Sequence, residues 1–388
     1  MAKNKQKKNS IFNTGRFDSY ILLITIILVI FGLVVLMSAS APTALAKEGD
    51  SYSYFRKQTL AACAGFVLMF GISRIDYKIF KRIKWLKWVI YFGFLASLFA
   101  VGVWGIGEYG AKRWFRIPGF SIQPSEFAKV GFLIFFAAYI SDLKEKEKLN
   151  SFFRSIIIPM VLCGLIFLSL YVVQNHFSAA AVIIIIAGIQ LFTGGVPLRD
   201  LAVLGISGVS LGYVYMTKKG NFRASRIDTW LNPSQDLTGK AYQINQSLYA
   251  IGSGGPFGVG LGNSKQKYLY LPFPQNDFIF SVLAEELGFV GCIAVILLFA
   301  LFIWRGLYIA MKVDNDFGKL IAVGATVMIG IQAIVNIAVV TNSMPVTGMT
   351  LPFFSYGGSA MIADLAAVGF LLSVSKDIKK KERTRKWE

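Results

Sequence analysis

Residues 19–39 read SYILLITIILVIFGLVVLMSA, a run without a single charged side chain. Wound as an α-helix at ~1.5 Å per residue, such a run covers the ~30 Å of hydrocarbon in a bilayer. A helix on a water-soluble protein would break its apolar face with polar residues every turn. Comparable runs recur at 90–103 with its flanks, at 152–173 and at 351–374. In lipid, each backbone N–H and C=O must be satisfied within its own segment, which leaves the helix as the spanning element. The chain of 388 residues, 55% hydrophobic, therefore reads as an all-α polytopic membrane protein. Its basic start (Lys3, Lys5, Lys7, Lys8, Arg16) precedes an apolar run too long for a cleavable signal, so the first span is expected to stay.

About ten transmembrane helices are expected, near 19–40, 56–73, 85–105, 125–141, 153–174, 178–194, 199–216, 277–304, 319–341 and 353–375. An even number places both termini on one side. The basic clusters at 74–87, 144–154, 305–319 and 376–386 then fall on that same side, the pattern of cytoplasmic loops. The net charge of +19 thus reports topology and contact with anionic lipid, and nucleic acid is not expected as a partner. The whole chain, 1–388, reads as a single integral membrane domain. It has basic cytoplasmic tails at 1–18 and 376–388 and a long extracytoplasmic loop at 217–276 between helices seven and eight. The outer loops 105–125 and 341–359 are also rich in turn and aromatic residues, so the outer face is expected to be the working side.

Few groups on that face could carry chemistry. Cys63, Cys163 and Cys292 lie far apart without a CxxC and read as small buried apolar residues. The sole histidine, His176, is expected to be a hydrogen-bonding group at a helix end, and no HExxH or His/Cys cluster suggests zinc. The stretch GSGGPFGVGLGN at 252–263 matches neither a GxGxxG nor a GxxxxGK[ST] loop, and is read as a hairpin or bent re-entrant segment. The outer acids are Glu48, Asp50, Glu108, Glu126, Asp228, Asp236 and Asp277. Asp277 stands where the chain re-enters the membrane. It is either the N-cap of the next helix or a general base whose basicity is raised by partial desolvation, and the two are compatible.

Glu126 and Lys129, one turn apart, can pair on one helix face. Glu285 and Glu286 lie deeper along the span that follows Asp277. At ~100° per residue they are expected to point to different sides and not to share a partner. Either these groups form internal ion pairs, or Glu126, Lys129 and Glu285 line a polar cavity that opens outward. Arg113, Trp114 and Arg116, with Arg223 and Arg226 from the long loop, suit a pyrophosphate or sugar headgroup, or else anchor the chain at the interface.

These motifs together resemble the SEDS proteins (shape, elongation, division and sporulation), the family of FtsW, RodA and SpoVE. The resemblance covers essentially the whole chain. It is carried by AKRW at 111–114, QPSEFAK at 123–129, RIDTWLNP at 226–233 and YQINQSLYAIGSGGPFGVGLGNS at 242–264. NDFIFSVLAEELGFVG at 276–291 and PVTGMTLPFFSYGGS at 345–359 complete it. It implies the SEDS fold and a peptidoglycan glycosyltransferase that polymerises lipid II at the outer face of the bacterial cytoplasmic membrane. The family's proposed catalytic aspartate falls on Asp277. Arg113, Trp114, Glu126, Lys129 and Arg226 match positions associated with activity, and Glu285 is grouped with them as substrate-binding.

The implied partners are lipid II, a class B penicillin-binding protein and other divisome proteins. No cofactor is firmly implied, the metal site is unknown, and a divalent cation such as Mg²⁺ or Mn²⁺ could assist the departing pyrophosphate. PFPQNDF and TGMTLPFFSYGGSA lean toward the FtsW side, hence toward the division septum. The sequence departs from the family in two places. Phe273 stands where a Glu is common before the aspartate, and QNHFSAA stands where PDLGT is common after span five, so both departures concentrate the burden on Asp277. The competing functions are a lipid II flippase, a RodA-like elongation polymerase and a non-catalytic scaffold.

Overall fold

The computed structural model describes residues 15–107, 112–117, 120–206, 229–231, 239, 241–268 and 270–385. They form a helical bundle. In chain order its long helices are α1 (Ser19–Glu48), α2 (Ser53–Arg74), α3 (Leu86–Trp104) and α4 (Pro124–Glu145). Then come α5 (Phe153–Val173), whose first and last turns are π-helical, and α6 (Phe177–Gly194). A shorter helix α7 (Tyr242–Ser253) precedes α8 (Ile279–Lys312), α9 (Asp316–Val340) and α10 (Gly358–Arg385). An antiparallel hairpin of β1 (Phe115–Ile117) and β2 (Phe120–Ile122) lies between α3 and α4, in register Arg116 to Ser121.

Among the described residues seven helices are long and apolar enough to cross a membrane: α1, α3, α5, α6, α8, α9 and the Gly358–Ile378 part of α10. The expected ten is not reached by this measure. α2 and α4 have 22 residues each but are more polar. Of the expected span at 199–216, the structure describes a helix over 198–206. The polarity of α4 is tolerated because it lies inside: it is buried along nearly its whole length, from Pro124 to Leu143. α9 and α10 are the most enclosed spans, 72% and 83% buried against 22% for α3, so α4, α9 and α10 form the centre.

Between helices in lipid the hydrophobic effect gives little, and packing plus interhelical hydrogen bonds hold the bundle. Phe132, Phe135, Phe136 and Tyr139 stack along α4, and Tyr91 of α3 lies 4.6 Å from Phe135, ring centre to ring centre. The Gln190 amide of α6 donates to the carbonyls of both Leu133 and Leu320, stitching three helices at one point. Such bonds contribute about 0.6 kcal/mol each in a bilayer.

The two ends of the bundle differ. At one end Asp18 caps α1 by accepting from Tyr20 N–H and Ile21 N–H, pairs with Arg305 of α8 at 2.6 Å, and donates its own N–H to Ser375 Oγ of α10. Tyr77 donates to Asp377, while Lys87 pairs with Asp142 and Lys144 with Asp316 at this same end. The start of α1 and the last described part of α10 thus lie together at one end. The opposite end carries the β-hairpin, the 254–278 loop, His176 and the 341–357 loop. Of the cysteines, Cys63 is exposed on the bundle surface instead of buried, and all three are free thiols.

Candidate active site

Two prolines, Pro272 and Pro274, deny the chain before α8 the backbone donors that a helix would need. Between them Phe273 adopts a left-handed φ of 53°, and residues 274–278 turn tightly into α8. The N-cap of α8 is Phe278, and no side chain caps it. Asp277 therefore does not serve as the cap that its position in the sequence allowed.

The turn is held by its carbonyls. Gln275 O accepts from Tyr356 N–H at 2.8 Å, Asn276 O from Ser355 Oγ at 2.7 Å, and Asp277 O from Asn336 Nδ2 at 2.8 Å. The carboxylate itself has no hydrogen-bond or ion-pair partner among the described residues, and it is partly buried. A Cβ on Gly348 would lie 3.4 Å from its Oδ2, so the 341–357 loop closes on it from one side. Burial pushes Asp277 up from 3.8 to about 6, while the positive charge of Arg113 pulls the other way.

Arg113 enters from the strand edge before β1. Its Nε donates to Gln174 O at 3.1 Å and a terminal nitrogen to Asn175 O at 2.5 Å. Trp114 pairs through its backbone with Ile106, which fixes the hairpin's base. His176 follows immediately and contacts Ser125 Oγ through Nδ1 at 3.2 Å. Burial, then the charges of Arg113 and Lys129, push it down to about 3, so the imidazole is neutral and acts as a hydrogen-bonding group. The other described acids at this end are engaged: Glu48 with Lys57, Asp50 with Arg56, and Glu126 with Lys129 at 2.7 Å.

Glu126 and Lys129 pair as their spacing allows, deep in the bundle, and Lys129 also donates to Gln332 of α9. Asp364 of α10 joins this cluster, feeling the charges of Lys129 and Glu126. It was missed in the sequence, although a lone acid inside a span is itself a signal. Glu126, Lys129 and Glu285 are all buried, so they do not line a cavity open to water.

Glu285 and Glu286 depart from expectation: both fasten the same loop. Glu285 accepts from Ser264 Oγ, Lys265 N–H and Gln266 N–H, and Glu286 from Lys267 Nζ at 2.7 Å, Ser38 Oγ and, at 3.4 Å, Ser264 N–H. A spacing of ~100° per residue fixes only the directions in which the two side chains leave α8. The loop in fact wraps around the helix where α8 breaks at Gly288 (φ 65°, ψ −164°). The glycine-rich stretch fills that break. Val259 and Gly260 donate to Glu285 O and Glu286 O, and Phe289 and Val290 donate back to Gly255 O and Pro256 O. A Cβ at Gly288 would lie 2.3 Å from Gly258 N, so glycine is required there. Lys267, 3% exposed, is a second residue that sequence reading missed.

Arg226 lies outside the described residues, as do Arg223, Glu108, Asp228 and Asp236. Trp230 of the same loop is described, and it donates to Asn342 O at 2.9 Å. Among the described residues no three His, Cys, Asp or Glu side chains gather as metal ligands.

Among the described residues Asp277 is thus a partly buried carboxylate without a side-chain partner, at one end of a multi-pass helical bundle. The chain belongs to the FtsW/RodA/SpoVE family, described as cell cycle proteins, whose pattern matches residues 18–380. It is 41% identical over 361 residues to stage V sporulation protein E of Bacillus subtilis, covering 92% of this chain and 97% of that protein. It is 39% identical to a probable peptidoglycan glycosyltransferase FtsW of Geobacter sp., covering 92% and 96%. The fold matches a chain from a peptidoglycan synthase complex that coordinates polymerization and crosslinking, with TM-score 0.76, 27% identity, and 93% and 98% of the two chains covered. It also matches the rod shape determining protein RodA of Thermus thermophilus, with TM-score 0.66 and 27% identity, covering 93% and 97%.

Proposed function

We infer that this protein is a peptidoglycan glycosyltransferase that joins lipid II units into glycan strands, with Asp277 as its general base. The observation that carries the reading is the unpartnered, partly buried Asp277 carboxylate, in a chain that spans nearly the full length of relatives named for that activity. The reaction needs a sugar hydroxyl to attack an anomeric carbon that bears a polyprenyl pyrophosphate. Pyrophosphate leaves readily, so the protein must supply a base, positioning and charge stabilisation. With its pKa near 6, Asp277 is ionised at neutral pH yet more basic than an exposed carboxylate, which suits proton abstraction.

Asp277 takes the proton of the acceptor hydroxyl as its oxygen attacks. The bond from anomeric carbon to pyrophosphate breaks, and an α-linked donor becomes a β-linked glycan in one displacement. Arg113 is the described cation whose charge acts at Asp277, and it faces the developing negative charge on the leaving group. Lys129 is neutralised by Glu126, so its contribution is to hold the bundle beneath the site. Trp114 and Arg226 are assigned to substrate binding in this reading by the family motifs that they match.

The Asp277 end faces the cell exterior, both termini are cytoplasmic, and the chain works at the division septum beside a class B penicillin-binding protein that crosslinks the strands. The bundle ends support this topology, because the basic clusters gather at the end opposite Asp277. The test is lipid II polymerisation by the purified chain with its penicillin-binding partner, wild type against Asp277→Asn. Loss of polymer with retained folding supports the base. Polymer from the Asn variant refutes it, and labelled lipid II that only changes leaflet in liposomes would make the protein a flippase.

A further inference from the structure

Among the described residues nothing bonds the carboxylate of Asp277, but its peptide is held. Three successive carbonyls, those of Gln275, Asn276 and Asp277, are each held by a donor from α9 or the segment that leads into α10. The donor to Asp277 itself is Asn336, 1% exposed on the inner face of α9. Its single amide nitrogen reaches two carbonyls at once, Asp277 O at 2.8 Å and Met349 O at 2.6 Å. Met349 adjoins Gly348, the residue that abuts the Asp277 carboxylate. One side chain thus sets the distance between the base and the loop that closes over it.

The clamp has a footing. Gln332 is one turn before Asn336 and therefore lies on the same face of α9. Its carbonyl oxygen accepts from Lys129, and its own amide donates to Met328 O. Lys129 is held in turn by Glu126. Ser355 is the second arm: it donates to Asn276 O, accepts from Leu351 N–H at 2.7 Å, and its carbonyl receives the Gln58 amide of α2.

We propose that Asn336 and Ser355 are positioning residues for the glycosyl transfer: they hold the Asp277 backbone so that its unpartnered carboxylate is fixed in a partly dry site beside Gly348. The inference rests on Asp277 being the base. A hydrogen bond to a buried carbonyl fixes the peptide plane, and the plane fixes the Cα–Cβ direction of the residue. Without the clamp the turn relaxes toward water, which both misplaces the carboxylate and lowers its basicity. A displacement on the order of 1 Å costs up to about a hundredfold in rate. The described charged group that faces Asp277 is Arg113, and neither substitution touches it.

The experiment compares wild type, Asn336→Ala, Asn336→Asp, Ser355→Ala and Asp277→Asn in lipid II polymerisation, each with its partner protein and across pH. Asn336→Ala is expected to lower kcat roughly ten- to a hundredfold with little change in KM. The acid limb of its rate profile should move from about 6 toward lower pH. Asn336→Asp should do no better, because a carboxylate cannot donate to the two carbonyls. Ser355→Ala should give a smaller effect in the same direction, and it covers the case in which the Asn336 variants fail to fold. Wild-type kcat and an unmoved acid limb in folded Asn336→Ala or Ser355→Ala, with Asp277→Asn inactive, would overturn the positioning role and leave the base intact. Activity in Asp277→Asn would instead overturn the base, and the positioning role with it.

Discussion

Replacing Asp277 by Asn is expected to stabilise the folded protein while it removes the activity. Burial raises this carboxyl from 3.8 to about 6, so the folded state resists its ionisation. That rise corresponds to about 3 kcal/mol, because each tenfold change in an acid constant is 1.36 kcal/mol. Partial access to water reduces the expected gain to about 1–2 kcal/mol. The sign follows from linkage. A carboxyl whose folded value is raised favours folding where it is protonated in both states, below 3.8, and that contribution is lost as pH rises through about 6. Asparagine keeps the shape and never ionises. The variant should therefore unfold at higher temperature than wild type near neutral pH, with the gap closing between about pH 6 and pH 4. Thermal unfolding in detergent over that range measures it. A variant less stable than wild type at neutral pH, or a gap that does not change with pH, would refute the claim that the site is held at a cost in desolvation.

Other outcomes are as definite. Lys267→Met leaves Glu286 as a buried unpaired charge and should destabilise the protein by about 3–5 kcal/mol, whereas Lys267→Met with Glu286→Leu should regain most of it; unfolding of the three proteins in detergent decides. His176, the sole histidine, should show no change of ring protonation between about pH 5 and pH 8, since burial and two cations keep it neutral. Nitrogen-15 spectra of the labelled imidazole test this, and a midpoint inside that range would contradict the geometry around Ser125.

The spans with few charges were legible because long apolar runs have one solution in lipid. α4 was legible too, since Glu126 and Lys129 could pair with each other and so enter the interior together. Asp277 was one of a few exterior acids, either cap or base by the residues alone, and the family resemblance singled it out; the structure adds that among its described rivals Glu48, Asp50 and Glu126 are all paired. What could not be read was the partner of each polar group. Gln332 and Asn336 are two uncharged residues in an apolar helix, and nothing in their spacing says that one meets Lys129 and the other a peptide from 59 residues earlier in the chain. Glu285 and Glu286 were misread because helical angles describe the helix alone, whereas the loop that meets them folds around it. The break at Gly288 was hidden as well, since a glycine within a hydrophobic span has no single meaning.

That break bears on how the molecule can move. An interrupted helix usually acts as a hinge, with spare backbone groups on either side that let the halves swing. Here the donors and acceptors left over at residues 285–290 are taken up by residues 255–260, four bonds in all, and Gly258 fills the space where a bend would close. The interruption is welded. α8 and the glycine-rich loop should therefore loosen together or not at all, and their amides should exchange with solvent as one cooperative unit. Any rearrangement that admits a substrate must be sought in segments other than this joint.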